Sequence, residues 1–278
     1  MFDHFLSSIV QNTNNNNSLS KMNNHFWLLV ISGLFSGLLA GLLGIGGGTV
    51  LVPILITMGY SYAQSVATSS LAIVMTSLSG SYQNWRMGYL KWNKVILLGL
   101  PGILTAFLGA YLVGQTPKYI LEAAFGFLLL LTIYLSNLRQ KLEQQGETTR
   151  KKANPFLSRL FTGGAAGLLS GLFGVGGGVI MVPLQMMFLG EKIKLAIQTS
   201  LGVIMITSIS SCIGHAKAGN VLFSEGIILG LGGLIGAQIS TRFLPKLPDQ
   251  IVKICFYSLL LILSVYFFIR AWNGYLLR

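Results

Sequence analysis

From residue 26 to residue 269 the chain alternates between long apolar runs and short polar joints. The runs are Phe26–Leu43, Ser65–Gly80, Val95–Val113, Ile120–Leu135, Gln198–Ile213, Gly226–Ile239 and Ile251–Ile269. A helix crossing a bilayer needs about 20 apolar residues, so each run predicts a spanning helix or most of one. Two apolar stretches are interrupted. "GLLGIGGGTVLVP" (Gly41–Pro53) and "GLFGVGGGVIMVP" (Gly171–Pro183) crowd glycines and a proline where a helix interior tolerates neither well. The pattern predicts a helix over Phe26–Leu43, a break at "GIGGG", and a short helix restarting near Thr49 and running towards Gly59. Backbone without intrahelical bonds cannot face lipid, so the break is expected inside the protein or against a wet cavity.

The second interruption repeats the first. An offset of 130 places Gly44 on Gly174, and 11 of the 18 residues in 37–54 are identical to their counterparts in 167–184. "SSLAIV" from Ser69 then aligns with "TSLGVI" from Thr199. One inserted residue, expected inside that second segment, brings "NWRMG" (Asn84–Gly88) onto "HAKAG" (His215–Gly219). "VILLGLPGILTAFLG" from Val95 matches "GIILGLGGLIGAQIS" from Gly226, and Pro117 meets Pro248. The fold class read from this is an all-α polytopic membrane protein with two homologous halves, 26–138 and 160–272. Each half holds a Gly-rich broken or re-entrant helix plus three spanning helices. Duplicated halves are the usual build of secondary transporters. The placement of Lys and Arg fits both inverted and parallel halves; inverted repeats are preferred because facing half-helices follow from them directly.

Composition supports the membrane class. Of 278 residues 53% are hydrophobic and 9% charged, with a mean hydropathy of +0.69. Soluble domains carry about 25% charged residues, so this chain cannot assemble a water-exposed surface. The net charge of +12 sits mainly between apolar runs and reads as a topology signal, not as a nucleic-acid footprint. The most basic stretch, in a linker over 139–159, carries Arg139, Lys141, Arg150, Lys151, Lys152 and Arg159 and is expected on the cytoplasmic side of the cell membrane. Residues 1–25 form a polar, Asn-rich tail expected to be disordered, with no cleavable signal peptide evident. Cys212 and Cys255 are expected as buried small side chains. Trp85 and Trp92 suit an interfacial belt, where Arg86 and Lys217 also fall.

The break carries the candidate chemistry. A helix restarting inside a membrane leaves first-turn N–H groups unpaired and partly positive, and glycines let an anion approach them. Backbone donors are expected at Gly44, Gly46, Gly47, Gly48 and Thr49, and again at Gly174, Gly176, Gly177, Gly178 and Val179. Pro53 is placed in or just after the first turn, where its missing N–H matters least. Ser69, Ser70, Gln198, Thr199 and Ser200 follow on corresponding helices as side-chain donors. Asn84 and His215 occupy matching helix ends, where His215 has the chemistry to donate to an anion or relay a coupling proton. Each has an alternative: glycines pack helices closely, Ser and Thr bond a carbonyl one turn back, and a histidine contacts headgroups. Of seven acidic residues only Glu122 is close to a spanning run, so no buried carboxylate is expected. Walker, HExxH and nucleophile–base patterns are missing, which argues against an enzyme; no cofactor and no metal is expected.

The paired glycine motifs, with "ATSSLAIV" and "IQTSLGVI" and the later "GLPGILTAFLG" and "GLGGLIGAQIS", resemble the sulfite exporter TauE/SafE family of membrane transporters. The likeness spans Leu28 to Phe268. It implies a substrate class that composition cannot give: sulfite, sulfoacetate or another organosulfonate, moved across the cytoplasmic membrane. The sequence departs from the simple pattern at Ala67-Thr68-Ser69-Ser70, with an extra hydroxyl, and where Asn84 stands opposite His215. The expected function is a secondary transporter of a small sulfur-containing anion working by alternating access. An anion or small-solute channel and a membrane scaffold or sensor are the alternatives, and a homo-oligomer is open.

Overall fold

The break at Gly44 is a matter of backbone handedness. Gly44, Gly46 and Gly47 have φ of 67°, 80° and 80°, and Gly174, Gly176 and Gly177 have 60°, 78° and 74°. These are left-handed values that a side chain disfavours, so each glycine cluster ends one helix and starts another. The computed structural model describes residues 26–144 and 154–276; the expected tail, 1–25, and residues 145–153 of the expected linker lie outside the described residues.

Within these limits the first half runs α1 (Phe26–Leu43), α2 (Gly48–Thr57), α3 (Tyr62–Arg86), α4 (Trp92–Val113) and α5 (Lys118–Gln144). The second runs α6 (Pro155–Phe173), α7 (Gly178–Leu184), α8 (Ile193–Lys217), α9 (Phe223–Phe243) and α10 (Asp249–Leu276). Seven of these helices are long and apolar enough to cross a membrane: α1, α4, α5, α6, α8, α9 and α10. The chain is thus a multi-pass membrane protein. α3 has the length, yet its inner face carries Ser65, Thr68, Ser69, Ser70, Thr76, Ser77, Gln83 and Asn84, all buried. Polarity there points into the protein.

Two helix starts are set by local chemistry. Ser61 and Gln64 form a capping box for α3. Asn154 caps α6 by accepting from the Phe156 N–H at 3.1 Å, with Pro155 in the first turn. The linker expected over 139–159 is accordingly shorter: α5 continues through Gln144 and α6 begins at Pro155.

Helix directions follow from close contacts between small residues. A Cβ on Gly33 would meet the Leu229 backbone and one on Gly37 the Gly233 backbone, so α1 and α9 run parallel. Gly163 against Leu98 and Gly167 against Gly102 make α6 and α4 parallel as well. Ser70 touches Ser211 while Gly80 packs on Leu201, so α3 and α8 are antiparallel. Each of these three pairs therefore packs across halves. Ser79 donates to the Leu234 carbonyl at 2.8 Å and Ser210 to the Ile103 carbonyl at 2.6 Å; both residues of the first contact lie 131 positions from those of the second.

That register corrects the expected alignment. The offset is 130 through the breaks and 131 from α3 and α8 onward. The extra residue sits in a π-wound turn, Gln185–Leu189, that continues α7 to Gly190. Ser69 thus corresponds to Ser200, not Thr199. Pro53 and Pro183 lie just after the first turn of their short helices, within the expected range.

Burial corrects two further expectations. Cys255 is exposed and Cys212 half-buried, because an outward face towards lipid is as apolar as the core. Glu122 is only 2% exposed and pairs with Arg270 at 3.1 Å, tying α5 to α10, and Glu191 is buried as well. A buried carboxylate stripped of its cation is strongly unfavourable, by about 3–5 kcal/mol when fully enclosed; the Arg270 side chain is 33% exposed, which lowers that figure. Arg270→Met should therefore depress thermal stability in detergent more than Glu122→Gln, which removes the charge along with the pair. Equal melting temperatures for the two variants would show that Glu122 is solvated.

Candidate functional site

The two breaks meet. A Cβ on Gly48 would lie 2.1 Å from the Gly174 carbonyl oxygen, and one on Gly178 would lie 2.0 Å from that of Gly44. Gly46 approaches the Val175 carbonyl, and Ile204 of α8 packs against both Gly46 and Gly176. Each short helix turns back along the helix before it: Ser36 of α1 donates to the Gly47 carbonyl at 2.9 Å, and Leu29 shares a small apolar cluster with Leu51 and Leu55. α1 with α2 is thus a hairpin whose tip lies in the protein interior. All residues of the two tips, 44–49 and 174–179, are buried.

The hydrogen bonding at these tips is lopsided. Carbonyls are covered: Ser200 donates to Gly44 at 2.9 Å, Ser69 to Gly174 at 2.8 Å, and Thr207 to Gly176 at 3.4 Å. Amides are not. Gly44 N–H bonds Ala40 and Gly174 N–H bonds Ser170, and the next bonded amides are Val50 and Leu51 in one half and Met181 in the other, all to Gly47 or Gly177. Among the described residues, the N–H groups of 46–49 and 176–179 meet no protein acceptor. The Thr49 hydroxyl, fully buried, has no partner either. Buried polar groups are nearly always satisfied, so a cluster of donors left open, at two helix N-termini whose dipoles add positive charge, is chemically suited to an anion.

Other expected site residues fall elsewhere. Ser69 and Ser200 reach the tips but donate to carbonyls of the opposite half, so they tie the two halves together there. Ser70 bonds Val66 at 2.9 Å in its own helix and touches Ser211 at 3.0 Å. Gln198 is buried, and the Thr199 hydroxyl is buried and unpartnered. Thr68, the true counterpart of Thr199 and marked from sequence only within a departure from the family pattern, accepts from the Leu222 N–H before α9. Asn84 is fully buried with both amide atoms open. His215 bonds the Gly171 carbonyl at 2.9 Å, three residues before the second tip, and its Nδ1 is open. Since α3 and α8 are antiparallel, Asn84 and His215 lie towards opposite ends and share no site. A narrow apolar crevice lined by Phe125, Leu128, Phe173, Val175, Gly177 and Val179 touches the second tip alone.

The described residues are all-helical, and their two glycine-broken hairpins meet tip to tip inside a multi-pass membrane protein. The comparisons with known proteins name the group. The "Sulfite exporter TauE/SafE" family matches residues 29–267, and the chain belongs to this family of membrane transporters. Relatives include "Probable membrane transporter protein MJ0441" of Methanocaldococcus jannaschii, 31% identical over 74% of this chain and 76% of its own. "Probable membrane transporter protein YunE" of Bacillus subtilis is 28% identical over 82% of this chain and 93% of its own. A "Probable membrane transporter protein" of Haemophilus influenzae is 27% identical, over 87% and 98%. No solved structure matches the chain.

Proposed function

We propose that the chain is a secondary transporter of a small sulfur-containing anion such as sulfite, sulfoacetate or another organosulfonate, bound between the two hairpin tips. The observation that carries this reading is the imbalance at the tips: acceptors covered by Ser69, Ser200 and Thr207, donors at 46–49 and 176–179 left open. A sulfonate or sulfite offers several acceptor oxygens and a full negative charge. Hydrogen bonds to a charged group contribute about 1.5–3 kcal/mol each, so a few open amides replace part of the lost hydration. Partial charges also let the anion leave again, which a buried Lys or Arg would hinder.

Alternating access follows from the cross-half packing if the halves sit in opposite orientations in the cytoplasmic membrane, with the basic linker on the cytoplasmic side. One half then rocks against the other around the tips. The likeness to the family supports the sulfur-anion class, and the antiparallel packing of the counterparts α3 and α8 supports inverted halves.

The experiment is uptake of labelled sulfite, sulfoacetate and taurine into proteoliposomes by the wild type and by Thr49→Val. Val179 holds the matching place in α7 and is buried there, so the substitution fits sterically. Saturable uptake of one anion, with KM raised about tenfold by Thr49→Val, is the expected result. Flux without saturation would make the protein a channel, and an unchanged KM would remove Thr49 from the site.

A further inference from the structure

Two contacts at opposite ends of the molecule occupy matching positions but differ in chemistry. At one end Lys94, in the first turn of α4, forms an ion pair with Glu191, just after the π-wound turn. At the other, the Tyr60 hydroxyl, just after α2, donates to Glu225 in the first turn of α9 at 3.3 Å. Tyr60 and Glu191 are 131 residues apart, as are Lys94 and Glu225. The 25 residues of α3 separate Tyr60 from Lys94 by about 37 Å.

Each contact joins the outer end of one hairpin to the other half. The inner ends are already fixed by glycine packing at the tips. At the outer end of α2, by contrast, a Cβ on Gly59 would meet nothing within 4 Å. Any rotation of one half against the other that frees the outer end of a hairpin must break the contact there. We propose that these four side chains are positioning residues, two unequal tethers that hold the hairpins against the opposite half. The Lys94–Glu191 end is the harder to open.

The inequality rests on charge and burial. Lys94–Glu191 joins two opposite charges, and the Glu191 side chain is 6% exposed. The ion pair adds the attraction of two full charges to its hydrogen bond, whereas the bond from Tyr60 to Glu225 has one charged partner. Tyr60 contributes a neutral hydroxyl. With both tethers made and the tips in contact, each hairpin is held against the opposite half at both of its ends. The tethers take their meaning for transport from the alternating-access reading, but they can be tested without any substrate.

The test is hydrogen exchange by mass spectrometry on the full chain in nanodiscs. Lys94→Met and Glu191→Gln should each speed exchange over 185–192 about tenfold and leave 58–61 unchanged. Tyr60→Phe should speed exchange over 58–61 about threefold and leave 185–192 unchanged. Lys94→Arg, which keeps the charge, should retain wild-type protection. A rise at both ends alike, no rise at either, or a larger effect from Tyr60→Phe would overturn the proposal. So would equal loss in Lys94→Arg and Lys94→Met, which would assign the effect to packing. Failure of the anion reading would instead leave exchange intact and abolish saturable uptake.

Discussion

Gly48→Ala and Gly178→Ala are each expected to prevent recovery of folded protein. The added carbon would sit 2.1 Å from the Gly174 carbonyl oxygen in one case and 2.0 Å from that of Gly44 in the other. Both obstacles are backbone, and each belongs to a glycine with a left-handed φ that cannot move without disturbing its own turn. No side-chain rotation relieves the contact. The cost should exceed about 4 kcal/mol, beyond the usual range for one substitution. Gly164→Ala on α6 is the matched control: its nearest neighbour would be Thr105 Cγ2 at 3.8 Å, and alanine favours the helix by up to about 1 kcal/mol. Yield and melting temperature in detergent decide it. Normal folding of Gly48→Ala would mean that the tips do not touch.

The second large effect is expected at Ser69 and Ser200. Each hydroxyl satisfies a buried carbonyl at the end of a helix in the other half, Gly174 for Ser69 and Gly44 for Ser200. Alanine leaves that carbonyl without a donor, at about 1–3 kcal/mol. Ser77→Ala serves as comparison, because Ser77 donates to Ile73 one turn back, an oxygen that its own helix already serves. The double variant Ser69→Ala with Ser200→Ala should not be the sum of the singles, since both act on tips in contact. Additive, small losses equal to that of Ser77→Ala would contradict the cross-half bonds.

The sequence made the glycine break legible because clustered glycines in an apolar run have few uses other than positive φ and close approach. It also exposed the paired motifs and the spanning runs. The register between halves was hidden: "QMMFL" is an unremarkable apolar stretch, and only its π winding at 185–189 reveals where the extra residue lies. One residue of slip was enough to pair Ser69 with Thr199, when Ser69 and Ser200 are the matched donors to carbonyls. Glu122 and Glu191 were invisible as buried carboxylates because their partners, Arg270 and Lys94, are remote in sequence. Cys255 was misjudged because burial cannot be read from hydrophobicity when the outer face meets lipid.

The open amides at the tips are the centre of this account, and they can be removed one at a time. Replacing Thr49 by its α-hydroxy acid turns the N–H into an ester oxygen and leaves the glycine packing and the side chain in place. The most direct measurement is KM for saturable anion uptake in proteoliposomes for this protein and for the all-amide chain. A rise of about tenfold or more, with the melting temperature nearly unchanged, is predicted from the loss of one charged hydrogen bond. Saturable uptake with an unchanged KM would contradict an anion site built from these backbone donors.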